Sequence, residues 1–255
     1  MHNKKRLSTI ISVILLGIIA VGFLFPFVWM VATSFKPTNE VFTFTPVGSE
    51  VAWENYPSAL RSIPFGRVVL NSFIVSLAGA ALVVVVSVLS AYAFARLRFK
   101  GRDHLFMVFL GTLVLPQEVL VIPLYIGMQR MGLVNSYFAL IVPFAFGAFG
   151  AFLIRQFLMS LPLEFEEAAR IDGCSDWKIL TKILLPLLKA PITVVGVFAF
   201  IDYWSAFLWP LIVVNDSTLA TIPLGLQMFS GERGTDWGPL MAAVTMTTIP
   251  SILLV

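Results

Sequence analysis

Long apolar runs separated by short polar stretches set the pattern of this chain. The first run covers 10–32, and five more cover about 69–95, 105–127, 136–158, 190–213 and 238 to the last residue. A helix rises 1.5 Å per residue, so about 20 apolar residues cross the hydrocarbon layer of a bilayer. The pattern therefore predicts an all-α membrane protein with six transmembrane helices. The first run is longer than the core of about 7–15 residues in a signal peptide, and no clear small-x-small cleavage site follows it before Lys36. It is read as a retained span. The expected layout is a tail over 1–9, a first helix over 10–33, an outer loop over 34–67, and a five-helix domain over 68–255. The last run stops in mid-pattern, so the sixth helix is expected to be truncated.

Composition agrees with a bilayer as solvent. The 255 residues are 58% hydrophobic and 12% charged, with a mean hydropathy of +0.92. A soluble domain carries about 25% charged residues. With the N-terminus placed in the cytoplasm, the inner segments hold Lys4, Lys5, Arg6, Arg96, Arg98, Lys100, Arg102, Arg155, Arg170, Lys178, Lys182 and Lys189, twelve of the 17 basic residues. The positive-inside bias predicts that orientation. The net charge of +3 is small and gathered in no single tract, which disfavours nucleic acid as a partner. Cys174 is the sole cysteine, so no disulfide framework exists within the chain.

Between the fourth and fifth runs the sequence reads EFEEAARIDG over 164–173. Pro162 suits a first helical turn, Glu164, Glu166 and Glu167 suit the positive end of a helix dipole, and Gly173 suits a left-handed terminator. The predicted helix, about 161–173, is too short to cross a bilayer and lies on the cytoplasmic side. Phe165, Ala168, Ala169 and Asp172 share one face, where the alanines allow close approach, and Glu166, Glu167 and Arg170 set charges beside it. Lying on headgroups would bring its acids against an anionic inner leaflet, so docking of a protein is the better reading.

Glu167-Ala168-Ala169, Gly173, Ile183 and Leu185-Pro186 resemble, at all seven fixed positions, the EAA signature of ABC-importer permeases. A chance match is on the order of 10⁻⁸ at ordinary residue frequencies. The stretches NSFIVSLAGAALVVVVSVLSAYAFARLRFKGR, LPQEVLVIPLYIGMQRMGLVNSY and FLWPLIVV, with the later IPLGLQMFSGERGTDWGPLMAA, are similar to the second permease of carbohydrate importers, the MalG-like group. The resemblance implies the type I ABC-importer permease fold. It also implies partners: a second permease, a dimer of ABC ATPase subunits, and an extracytoplasmic substrate-binding protein. In that family the EAA helix is the coupling helix seated in the ATPase. Carried over, Glu166, Glu167, Ala168, Ala169, Arg170 and Gly173 would lie at that contact, with Ile183, Leu185 and Pro186 shaping the return into the membrane. No G-K-[ST] tripeptide occurs, so the chain has no P-loop, and ATP and Mg²⁺ are expected on the partner ATPase. The chain itself is expected to bind no cofactor and to be a transport subunit, not an enzyme.

Ionisable residues inside spans are functional candidates. Asp202 falls half-way along the fifth run, beside Tyr203, Trp204, Ser205 and Trp209, and Glu118 falls in the third, after Gln117. Aromatic faces with hydrogen-bonding groups suit a sugar. Two readings stand for the acids: lining of the substrate pathway, or satisfaction of backbone groups and of the partner permease. By the same resemblance the loop over 214–237 faces the binding protein, with Gly231, Glu232, Arg233 and Gly234 at its tip. No spacing of His, Cys and carboxylates marks a metal site, and no nucleophile stands with a base. The expected cargo is a di- or oligosaccharide, with a glycerol-phosphate-type solute as the alternative. A stand-alone secondary transporter would need internal pseudo-symmetry or coupling-ion sites, and the sequence offers neither.

Overall fold

The computed structural model describes the backbone of residues 2–231 and 234–254, and their side chains except those of 2–8, 10, 251, 253 and 254. Its helices are, in order, α1 His2–Ser34, α2 Asn55–Ser62, α3 Phe65–Arg96, α4 Arg102–Gly111, α5 Gln117–Arg130, α6 Tyr137–Ile141 and α7 Ala148–Ser160. They continue as α8 Glu164–Ile171, α9 Asp176–Ile179, α10 Leu185–Leu187, α11 Lys189–Ser205, α12 Leu208–Val213, α13 Ile222–Gln227 and α14 Trp237–Leu254. Two short strands, β1 Ser230–Gly231 and β2 Gly234–Thr235, pair antiparallel.

Among the described residues, two helical stretches are long and apolar enough to cross a membrane unbroken, Ile11–Ser34 and Phe65–Arg96. Three further spans arise if each bent pair counts as one: Arg102–Val114 with Gln117–Arg130, bent by 102°; Tyr137–Phe144 with Ala148–Ser160, by 47°; and Asp176–Leu187 with Lys189–Ser205, by 81°. The spans expected over 105–127, 136–158 and 190–213 are thus broken ones. At the first break Pro116 lacks an N–H and holds Leu115 extended. Before Pro186 the turn widens: the Leu185 N–H bonds the Leu180 carbonyl, five residues back. A proline crowds the carbonyl four residues behind it, and a wider turn relieves that clash. The stretch over 190–213 ends as α11 at Ser205 and restarts as α12 at Leu208.

The chain divides into two compact units, 1–66 with 225–255, and 67–224. In the first, α14 packs on α1 and α2 around Ala59, Ile63, Phe229, Ala242 and Ala243. Buried Asn55 fastens it, donating through Nδ2 to the Ser34 and Lys36 carbonyls at 2.9 Å each. Gly238 makes room: a Cβ there would stand 2.5 Å from Asn55 Oδ1. Lys36 is fully buried. Its ammonium donates to the Thr43 carbonyl at 2.9 Å and lies 4.6 Å from the Trp29 ring centre, so hydrogen bonding and a cation–π contact offset its desolvation.

In the second unit one core joins α3, α7, α8, α9 and α11. It contains Val88, Ala91 and Tyr92, then Ile154 and Leu158, Ala169, Ile179, and Val195. Small residues let the helices close: a Cβ on Gly150 would overlap Ser87 Oγ, and one on Gly79 would stand 2.5 Å from the Tyr203 ring. At the other end polar side chains hold the loop before α13. Asn71 Nδ2 donates to the Thr218 and Ala220 carbonyls, and the Ile222 N–H donates to Ser72 Oγ. Asn135 Oδ1 accepts from the Asn215 and Asp216 N–H groups.

Candidate docking helix and cavity

The acidic decapeptide folds as α8, beginning at Glu164, so Pro162 precedes the helix instead of opening it. Its end is a Schellman motif. Gly173 takes φ 76°, its N–H bonds the Arg170 carbonyl, and the Cys174 N–H bonds the Ala169 carbonyl at 2.9 Å. Charge pairing fixes which way the helix is turned. Arg96, the last residue of α3, brings Nε to 2.5 Å from Glu166 Oε1, and its Nη2 donates to the Leu158 and Leu161 carbonyls. Glu166 is therefore buried, and Ala169, three residues on, is buried with it. The shared face read from the sequence is divided: Ala169 packs into the core, while Phe165, Ala168 and Asp172 are exposed. Glu164, Glu167, Arg170 and Gly173 are exposed as well, and Ile171 is 87% exposed. Arg170 pairs with Asp176 at 2.6 Å, both about half exposed.

Within the same unit an open cavity of about 430 Å³ brings together Gln117 and Glu118 from the start of α5 with Asp202, Tyr203 and Ser205 from the end of α11. The break between α11 and α12 adds Phe207, the start of α12 adds Trp209 and Pro210, and α7 adds Phe149. Two contacts hold this wall: the Tyr203 hydroxyl donates to the Ile141 carbonyl at 2.6 Å, and Trp209 Nε1 donates to the Ala139 carbonyl at 2.8 Å. The Tyr203 hydroxyl hydrogen is thereby engaged within the protein. Trp204 points elsewhere. It is buried, edge-on to Phe73 and stacked on Phe200, because successive residues on a helix differ by about 100° in direction. Among the described residues neither Glu118 nor Asp202 has an ion-pair partner, and no lysine or arginine lines the cavity. Phe144 and Phe198 also line the cavity and were not singled out in the sequence; nothing local separates them from the other phenylalanines of the spans.

In the first unit Gly231 and Gly234 form the last pair of the β1–β2 ladder, and Gly234 takes φ 111°. Glu232 and Arg233 lie outside the described residues. Among the described residues, no three His, Cys, Asp or Glu side chains group closely enough to hold a metal ion.

The profile of one family, described as "Binding-protein-dependent transport system inner membrane component", matches residues 83–255. The chain belongs to this family of inner-membrane transport components, and its role is transport rather than catalysis. Its relatives are transport permeases. It is 37% identical, over 266 aligned residues covering 100% of this chain and 94% of the relative, to the sn-glycerol-3-phosphate transport system permease protein UgpE of Pectobacterium atrosepticum. It is 30% identical to the lactose transport system permease protein LacG of Rhizobium radiobacter, covering 98% and 92% of the two chains. Among solved structures, a chain of a bacterial ABC transporter involved in the import of the acidic polysaccharide alginate superposes with a TM-score of 0.84 at 23% identity, covering 98% of this chain and 94% of that one. The fold is shared with it.

Proposed function

We propose that the chain is one of two permease halves of an ATP-driven, binding-protein-dependent sugar importer, with α8 as the helix on which the ATPase docks. The observation that carries this is the turning of α8. Glu167 and Ala168 of the signature face outward from a helix anchored to the bundle by Glu166 and Ala169. Six spans, the sixth being α14, with the N-terminus in the cytoplasm, put α8 on the cytoplasmic side, a reading supported by the bias of basic residues. ATP and Mg²⁺ belong to the partner ATPase dimer. ATP binding draws the two coupling helices together and opens the pathway outward to a docked extracytoplasmic binding protein. Hydrolysis restores the inward-open state. Gly231 to Gly234 reach towards that binding protein.

The cavity supports a neutral sugar as cargo. Glu118, Asp202 and Gln117 offer hydrogen-bond acceptors, and Phe149, Phe207 and Trp209 offer faces for sugar C–H groups. A phosphate would meet two carboxylates and no base in this half of the pathway, which weighs against a glycerol-phosphate cargo despite the similarity to UgpE. The test is affinity purification of the tagged chain from its native membrane, followed by uptake in vesicles. An ATPase and a second permease should come with it, and saccharide uptake should require ATP and the binding protein and resist competition by glycerol phosphate. Recovery of the chain alone, still carrying solute without ATP, would overturn the assignment.

A further inference from the structure

We propose that Arg96 is a positioning residue that rivets the docking helix to the ends of α3 and α7. On this view Glu166 belongs to the rivet and not to the ATPase contact. The inference rests on the reading of α8 as the docking helix.

Three helix ends converge on one guanidinium. Arg96 closes α3, its Nη2 donates to Leu158 O at 2.7 Å and Leu161 O at 3.2 Å, and its Nε faces Glu166. The two carbonyls are at the C-terminal end of α7, where helix carbonyls run short of intrahelical donors, and Leu158 O also accepts the Leu161 N–H at 3.1 Å. Glu166 is in the first turn of α8, where free N–H groups favour a negative charge. The site is nearly dry: the two side chains are 7% and 6% exposed. A planar, always-charged fork with several donors fits such a site, and a lysine, with one compact charge, reaches fewer of these acceptors at once. Beside the pair, Ala169 packs into the core with Val88, Ala91, Ile154 and Leu158. The inward side of α8 is thereby committed to the bundle, and Glu167, Ala168 and Ile171 remain for a partner. The Arg170–Asp176 pair is half exposed and joins α8 to the neighbouring α9 beside Tyr92 of α3, so its hold on α8 is weaker than that of the buried pair.

A rigid link is what a force-bearing element needs. With Arg96 or Glu166 neutralised, α8 keeps its docking face but moves independently of α3 and α7, and hydrolysis no longer drives the pathway.

The experiment compares Glu166→Gln, Arg96→Met, Arg96→Lys and the exchange R96E/E166R with Glu167→Lys, in the complex purified with its ATPase, second permease and binding protein and reconstituted into liposomes. Glu166→Gln and Arg96→Met should retain the ATPase in purification and hydrolyse ATP, but carry roughly fivefold less solute per ATP, or worse. Arg96→Lys should recover part of the coupling. The exchange should not, because it turns a carboxylate towards the Leu158 and Leu161 carbonyls. Transport and hydrolysis falling together, in proportion to recovered protein, would reduce the pair to ordinary fold stability and overturn the proposal. Loss of the ATPase from Glu166→Gln, as from Glu167→Lys, would overturn it in favour of direct contact. If Arg96→Met is not recovered from membranes, the isosteric Glu166→Gln decides by the same criteria. If the unsubstituted chain brings no ATPase, the reading of α8 fails first, and the rivet with it.

Discussion

The two ends of the unit over 67–224 treat their charges in opposite ways. Around α8, Arg96 meets Glu166, Arg170 meets Asp176, and Arg155 lies 3.6 Å from Asp103 and over the Phe106 ring. Around the cavity, Glu118 and Asp202 face open space with no base beside them. The buried Arg96–Glu166 pair holds structure, because either charge left alone there would be uncompensated. Carboxylates kept unpaired in an apolar setting are costly, and such groups are retained where something else uses them. On the proposed function, the contrast sets the buried Arg96–Glu166 pair, which would carry load, apart from the carboxylates that would meet cargo.

The contrast can be broken or sharpened in order of expected effect. Arg96→Met should cost the most, about 3–5 kcal/mol of stability, because Glu166 is left buried and unpaired. Arg170→Met, in a half-exposed pair, should cost less than about 1 kcal/mol, and thermal unfolding in detergent compares the two. Equal losses would erase the distinction between the buried and exposed pairs. Glu167→Lys should leave stability unchanged but weaken ATPase retention by about 100-fold, the scale of a like-charge encounter at an interface; titration of the purified ATPase onto the permease measures it.

At the cavity, Gly79→Val should lower stability by about 1–3 kcal/mol by driving into the Tyr203 ring. Asp202→Ala should do the reverse of Arg96→Met. Stability should stay within about 0.5 kcal/mol, while uptake falls about tenfold, the value of a charge-assisted hydrogen bond to cargo. Unchanged uptake would assign Asp202 to the helices. The smallest effect concerns Asp216, whose carboxylate accepts from the Thr218 N–H at 2.8 Å and is thereby held below the usual carboxylate range. A depressed value contributes stability above the unfolded pKa of about 3.9, lost as pH falls through the folded value. The difference in melting temperature between the natural chain and Asp216→Ala should therefore be present at pH 6 and shrink below about pH 4.

Much of this was legible in the residues, for physical reasons. Run length against bilayer thickness sets where spans can fall, and the acids, alanines and glycine of 164–173 carry their own helix and its left-handed end. Which prolines break a helix was not legible: Pro116 marks the break at 115–116, whereas Pro26 and Pro250 sit inside continuous helices, and the break at 206–207 falls three residues before Pro210. The phase of a helix was not legible either. Tyr203 and Trp204 are adjacent in sequence yet face a cavity and a packed aromatic cluster, and Glu166 and Glu167 are adjacent yet face the core and the outside. In each case the deciding partner is far along the chain: Phe73 for Trp204, and Arg96 for Glu166.

The most direct measurement is cross-linking from α8 in a Cys174→Ser background, placing one cysteine at Ala168 and, separately, one at Ala169. With an ATPase bearing cysteines along its docking groove, Ala168→Cys should link rapidly in assembled complexes, and Ala169→Cys should remain unreactive beneath the helix. Efficient linking from Ala169→Cys, or none from Ala168→Cys, would mean that α8 does not meet its partner with the face described, and the account of coupling would fail.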